Sequence, residues 1–283
     1  MQPIQGTTDL LGIIGHPVEH SLSPAMHNAA LSDLGVDCAY IPFPVAPEHL
    51  EAALQGLHAV GTLGLNVTIP HKQAVIPYLS EITPVARAVG AVNTLWRSDR
   101  GWRGTNTDVA GFIAPLQRMA RDWSDAKVAI LGYGGAARAV VAGCLQLGVT
   151  QIHIVGRDRD RLQRFQHSWD APLNIHLWQE LSSLLAETTL LVNSTPVGMF
   201  PDTNCSPGSK EDLSKLPSGA IAYDLIYNPR PTQFLQLANA LGFTTIDGSE
   251  MLVQQGAAAL ELWLGRSVPV SIMRQTLLNA LQS

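Results

Sequence analysis

KVAILGYGGAARAVVAGCLQLG, residues 127–148, opens with a short apolar run, turns on glycine and continues with helical spacing. Gly132, Gly134 and Ala137 fit the pattern G-x-G-x-x-A, with Gly135 and Ala136 in the same turn. The first glycine permits a tight turn, the second lets backbone approach a pyrophosphate, and a small third residue allows close helix–strand packing. A helix starting here aims free N–H groups and a partial positive charge at an anion. The motif alone is weak, but a strand before it and a helix after it make it a dinucleotide site.

The next apolar run, QIHIVG (151–156), ends at Gly156 and is followed by Arg157, Asp158 and Arg161. A carboxylate at that strand end suits a ribose 2′-hydroxyl, whereas arginine suits a 2′-phosphate through its planar donor fork. The arginines favour NADP, and Asp158 is the residue that keeps NAD open. Further strands are expected at NIHLW, TLLVN, AIAYDLI and FTTID, and helices over MLVQQGAAALELWLG and from Val268 to the end.

Upstream of residue 127 a second strand–helix alternation runs from LLGIIG (10–15). Ser23-Pro24 reads as a helix start with Ser23 as the cap, and Gly35 as its stop. CAYIPFPV and TLGLNVTI read as strands, PEHLEAALQGL and a stretch from about Gln73 as helices, and GAVNTLWR as a short segment. The alternation predicts an α/β fold in two domains, with a polar boundary in RMARDWSDAK.

Bulk composition narrows the function. The 283 residues are 46% hydrophobic and 14% charged with a net charge of −5, which gives no basic field for nucleic acid or anionic membrane. Cys38, Cys144 and Cys205 form no C-x-x-C pair, as expected of a reducing compartment. MQPIQGTTDL has no signal-peptide pattern, and no apolar run spans a bilayer. The expectation is a cytoplasmic protein. His16, His20 and His27 are interrupted by Pro17 and Pro24 and lack a thiolate or carboxylate set, so no metal is expected. His153 and His176 read as strand-face residues.

Polar side chains gather outside the glycine turn: Ser21 and Ser23 in HSLSP, Asn66, Thr68 and Lys72 in NVTIPHK, Asn93 in GAVNT, Asp108 in GTNTD and Gln255 in MLVQQGA. Singly each has a plain structural reading as a cap, a strand residue, a turn former or a surface lysine. A lysine beside a carboxylate also suits ketone reduction, which leaves an alkoxide needing a proton and a positive charge. Both roles, proton donor and fixed charge, fit Lys72.

Eight blocks in order, GHPVEHSLSPAMHN, NVTIPHK, GAVNT, NTD, GYGGAARA, NSTPVGM, DLIYNP and MLVQQGA, resemble the shikimate dehydrogenase family from about Leu11 to Leu264. The resemblance implies NADPH-dependent, reversible reduction of 3-dehydroshikimate to shikimate in aromatic amino-acid biosynthesis, with Lys72 and Asp108 as the catalytic pair. It implies that Ser21 and Ser23 hold the substrate carboxylate with Tyr227 near that end, that Asn66, Asn93 and Gln255 hold hydroxyls, and that Thr68 lies at the substrate. Asn193, Thr195, Met199 and Gly248 join the cofactor side. It further implies an α/β substrate domain of residues 1–108 and 247–283, a Rossmann-type domain of residues 109–246 and an active site in the cleft between them; a monomer or homodimer is expected. The family's usual asparagine before the cofactor arginine is Gly156 here, and the hydroxyl residue after it is Asp158. A relative using quinate or NAD, or a non-catalytic NADPH- and shikimate-binding regulator, are the alternatives; intact Lys72 and Asp108 argue against the regulator.

Overall fold

The computed structural model describes residues 3–282, so Met1, Gln2 and Ser283 at the ends of the expected first domain lie outside the described residues. Tertiary contacts divide the chain into two compact units, one of residues up to Gly111 together with those from Val253, the other Phe112–Leu252. The chain crosses between them inside helices Asp108–Gln117 and Gly248–Leu264, and the polar stretch 118–127 belongs wholly to the second unit. Polarity marks an exposed loop there, not the border: Phe112 and Leu116, upstream of it, are already buried in the second unit's core.

The first unit is built on β1 (Asp9–Gly15), β2 (Cys38–Pro44), β3 (Gly64–Val67), β4 (Glu81–Ile82), β5 (Thr94–Ser98) and β6 (Gly101–Thr105). Their order is β2-β1-β3-β5-β6-β4. The pairs β1–β2, β1–β3 and β4–β6 are parallel, while β3–β5 and β5–β6 are antiparallel. Pro42 and Pro44 are tolerated because β2 is an edge strand, where a missing N–H costs no ladder bond. GAVNTLWR is therefore the entry to a hairpin, turned at Gly101 with φ +109. The helix expected from Gln73 is one turn, His71–Ala74, running on into a 3₁₀ turn over Ile76–Tyr78. Pro77 supplies no N–H for a longer helix.

This topology collects the polar residues. β3 runs antiparallel to β5, and β5 to β6, with Asn66 opposite Thr94 and Thr94 opposite Thr105. The end of β3, the start of β5 and the end of β6 thus meet at one end of the sheet. Trp263 of helix Gly248–Leu264 covers Gly64, where any Cβ would collide with its indole, and its Nε1 donates to Leu95 O at 2.8 Å.

The second unit holds β7 (Lys127–Leu131), β8 (Gln151–Gly156), β9 (Leu173–Leu177), β10 (Leu190–Asn193), β11 (Ile221–Asp224) and β12 (Thr244–Ile246). All neighbours are parallel, in the order β12-β11-β10-β7-β8-β9. Counted from β7, that is 3-2-1-4-5-6, the order of dinucleotide-binding sheets. β10 and β11 are buried along their whole length, as parallel strands covered on both faces must be. Helix Gly135–Gln146 packs through small residues: Ala137 is buried, and a Cβ on Gly143 would come 2.6 Å from Phe112 Cδ1. Among the described residues no helix is long and apolar enough to cross a membrane.

Candidate active site

In the first unit Lys72 Nζ donates to Asp108 Oδ2 at 2.6 Å, a charge-assisted contact in which the lysine side chain keeps 24% of its exposure and the aspartate 9%. The other carboxylate oxygen accepts from Asn93 Nδ2 at 2.8 Å. That amide also reaches Thr107 Oγ1 at 3.0 Å and Gln255 Oε1 at 3.4 Å. Asn93 Oδ1 accepts from Thr107 N at 2.7 Å and Thr94 Oγ1 at 2.9 Å. Asn66 Nδ2 donates to Asn93 O and Thr94 Oγ1, both at 3.2 Å. Asn66, Asn93, Thr94, Thr107, Asp108 and Gln255 are all buried. Burial of so many polar groups costs stability unless each is satisfied, and these satisfy one another.

Lys72 owes its position to the one-turn helix after β3, whose carbonyl at Lys72 accepts from Val92 N at 2.7 Å. Asp108 opens its helix after β6, its N–H donating to Asn106 Oδ1 at 3.0 Å. Thr68 is half-buried just beyond β3 and lies against Gly15, leaving no room for a Cβ there.

The structure corrects the expected cap at Ser23. Ser23 is the first helical residue, Leu22 is at the N-cap without a side-chain bond, and Ser23 N donates to Ser21 Oγ at 3.3 Å. Tyr40, buried on β2, donates to Asn66 Oδ1 at 2.7 Å and so extends the amide network. His27 stacks on Tyr40 with ring centroids 4.1 Å apart, and its Nδ1 pairs with Ser23 O at 2.8 Å. Burial pushes the His27 imidazole down to about 4 from the usual 6.5, so it is neutral. Tyr40, Thr94 and Thr107 are members of the network beyond the residues the motifs point to. The two threonines adjoin Asn93 and Asp108, a usable signal, whereas a tyrosine in an apolar strand carries none.

In the second unit the glycine turn lies at the switch point between β7 and β10. Gly132 has φ +104, and a Cβ there would come 2.9 Å from Ser194 Oγ and 3.1 Å from Thr195 Cγ2. Gly134 is the N-cap of helix Gly135–Gln146 and offers no side-chain cap, and Cβ positions at Gly134 and Gly135 meet open space. An uncapped twelve-residue helix facing a glycine-lined opening fits an anionic pyrophosphate. Ala136 occupies the first turn with Ala137.

At the end of β10, Asn193 Oδ1 accepts from Thr195 N at 3.0 Å and Thr195 Oγ1 at 2.7 Å. Asn193 Nδ2 donates to Asp224 Oδ1 at 3.0 Å, and Asp224 Oδ2 accepts from Thr232 Oγ1 at 2.7 Å. Burial raises the Asp224 carboxyl to about 6 against these donors. Asp224 opens the block DLIYNP, but a single acid at the end of an apolar run carries no signal of its own. Met199 is exposed in the following loop, Tyr227 is held above the usual tyrosine range by burial, and Gly248 abuts the Leu225 carbonyl so closely that no Cβ fits.

Asp158 takes a structural part that the sequence left open: it caps helix Arg159–His167, accepting from Arg161 N at 3.0 Å, with Arg161 Nε 3.5 Å away. Arg157 is exposed and lies over the Trp178 ring at 5.5 Å. His153 Nδ1 and His176 Nε2 are 2.9 Å apart across β8 and β9. Among the described residues no three His, Cys, Asp or Glu side chains cluster as a metal site.

Fold and site together define a two-unit α/β protein of the dinucleotide-binding class. Family models described as "Shikimate dehydrogenase substrate binding domain", "Shikimate / quinate 5-dehydrogenase" and "Shikimate 5'-dehydrogenase C-terminal domain" match residues 13–95, 115–200 and 248–278. The chain is 57% identical to shikimate dehydrogenase (NADP(+)) of Crocosphaera subtropica over 100% of both chains. It is 59% identical to the protein of the same name from Trichormus variabilis over 97% of each. A solved shikimate 5-dehydrogenase of Thermus thermophilus, in complex with NADP(H) and shikimate, is 33% identical with a TM-score of 0.87, covering 97% of this chain and 100% of that one. The chain belongs to the shikimate dehydrogenase family.

Proposed function

We propose that this chain catalyses the NADPH-dependent, reversible reduction of 3-dehydroshikimate to shikimate, within aromatic amino-acid biosynthesis. The observation that carries the reading is the Lys72–Asp108 pair at 2.6 Å, at the head of a buried network of amides and hydroxyls. Residues 1–108 with 247–283 take the substrate and residues 109–246 the cofactor. In that role Gly132, Gly134, Gly135, Ala136 and Ala137 hold the pyrophosphate, Arg157 and Arg161 the 2′-phosphate, and Asn193, Thr195, Met199 and Gly248 the nicotinamide side. When bound, the nicotinamide supplies the hydride.

As the substrate carbonyl becomes an alcohol, negative charge grows on its oxygen. The Lys72 ammonium stabilises that charge and gives its proton to the oxygen. Asp108 keeps Nζ aimed through Oδ2, and its second oxygen is fixed by Asn93. Water reprotonates the amine, to which the partly exposed side chain has access. Asn66, Asn93 and Gln255 bind ring hydroxyls, Thr68 lies at the substrate, and Ser21 and Ser23 bind the carboxylate with Tyr227 near that end. Buried amides and hydroxyls reject a ligand that leaves them unpaired. The enzyme is cytoplasmic, monomeric or homodimeric, and binds neither nucleic acid nor membrane.

The test is oxidation of shikimate by the purified protein, followed as reduced-cofactor absorbance, with NADP and NAD in parallel and quinate as second substrate. Fast turnover of shikimate with NADP is expected. Preference for quinate or NAD would reassign the role, and binding without turnover would make the chain a regulator.

A further inference from the structure

The end of β8 is flanked by two aromatic residues. On one side, Gly132 N donates to Val155 O at 2.9 Å, which brings the glycine turn against the strand end and lays Tyr133 over Gly156. A Cβ at residue 156 would lie 2.6 Å from Tyr133 Cδ1 and 3.0 Å from Leu162 Cδ2. Residue 156 therefore carries no side chain that could brace its neighbour Arg157. On the other side, β8 pairs with β9 so that Gly156 is opposite Leu177, and Trp178 follows immediately. Trp178 packs against the core cluster that contains Val155, Leu181 and Leu185. The Arg157 guanidinium lies over its ring, 5.5 Å from the centroid.

Two further observations isolate that contact. Among the described residues no carboxylate pairs with Arg157: the neighbouring Asp158 is committed to Arg161, through its backbone N–H and its Nε. Arg157 is also exposed, so without a support its side chain would sample many rotamers. A guanidinium held over an indole face keeps its donor edge in the ring's plane of approach and available to an anion.

We infer that Trp178 is the positioning residue for Arg157, and that through this contact it sets discrimination between cofactors with and without a 2′-phosphate. Trp178 touches the guanidinium and acts on the cofactor only through it. The inference rests on the NADP reading of Arg157 given above.

The test uses the whole chain and equilibrium binding of two probes, adenosine 2′,5′-bisphosphate and adenosine 5′-monophosphate, by titration calorimetry. Wild-type protein should prefer the bisphosphate. Trp178→Leu keeps apolar volume but removes the π face, and should cut that preference about fivefold, the factor matching a cation–π contact near 1 kcal/mol. The loss should fall on the bisphosphate alone. Trp178→Phe should restore most of the preference. On an Arg157→Ala background, Trp178→Leu should change nothing further. An unchanged preference in Trp178→Leu, or equal weakening of both probes, overturns the inference and leaves the NADP reading standing. No preference in the wild type overturns that reading and the inference with it.

Discussion

Asn93 and Asp108 are joined at 2.8 Å through Asn93 Nδ2 and Asp108 Oδ1, the oxygen that Lys72 does not use. The carboxylate is thereby gripped at both ends, by a fixed amide and by the lysine it aims. Asn93 is itself pinned, because its Oδ1 accepts from the backbone N–H of Thr107, next to Asp108. One asparagine thus ties the start of β5 to the chain leaving β6. Replacement by alanine leaves a buried carboxylate oxygen and the Thr107 N–H without their partner. We predict that Asn93→Ala lowers kcat/KM for shikimate about 100-fold, comparable to losing one well-placed catalytic donor. It should also cost about 2–4 kcal/mol of stability, from several unpaired buried groups. Steady-state kinetics and urea melts check both, and near-normal values in either would remove Asn93 from that role.

Lys72 gives a separable prediction. Lys72→Ala removes proton donor and charge but spares the amide network, so kcat should fall about 10²–10⁴-fold with KM for shikimate changed only modestly. If KM rose while kcat held, Lys72 would be a binding residue and not the proton donor.

The pH dependence of stability follows from His27. Its folded value of about 4 lies below the ordinary 6.5, because burial disfavours the imidazolium. The unfolded chain therefore binds the proton more readily, so His27's contribution is fully present above pH 6.5 and is lost as pH falls toward 4. The size is on the order of 3 kcal/mol. Asp224 works the other way: its raised value of about 6, against 3.8, favours the folded state as pH falls through that window. His27→Gln should flatten the decline in unfolding free energy between pH 6.5 and 4 by about one proton's worth. An unaltered slope would mean that His27 does not stay neutral in the folded chain.

What the sequence disclosed depended on how local the physics is. Gly132 needs φ +104 and Ala137 has no room to grow, so the turn announces itself within six residues. The parallel strands β10 and β11 show as apolar runs that turn polar only at their last residues, Asn193 and Asp224, because both faces are buried. The hairpin β5–β6 did not show, since Arg97, Arg100 and Arg103 and two glycines break any clean alternation. Tyr40 was invisible for another reason: its partner Asn66 is 26 positions away and only the β1-centred pairing brings them together. At Ser23 the helix starts one residue earlier than the local rule for caps expects, with Leu22 at the N-cap. Asp158 shows the reverse, a residue weighed for cofactor choice that serves an ordinary local cap.

The last prediction concerns Tyr133 and Gly156, packed so closely that a Cβ at 156 would meet the tyrosine ring. Gly156 is on a regular strand, so its lack of a Cβ answers a steric demand and not a backbone one. Gly156→Ala must push the Tyr133 ring aside, and overpacking of this kind costs about 1–3 kcal/mol. Tyr133→Ala alone loses the ring's packing against the second unit's core. In the double variant the new methyl meets no ring, so its cost should be smaller by about 1 kcal/mol than the sum of the two single changes. Urea melts of the four proteins measure the coupling directly. Strict additivity would show that Tyr133 swings away freely, and that some other neighbour excludes a side chain at position 156.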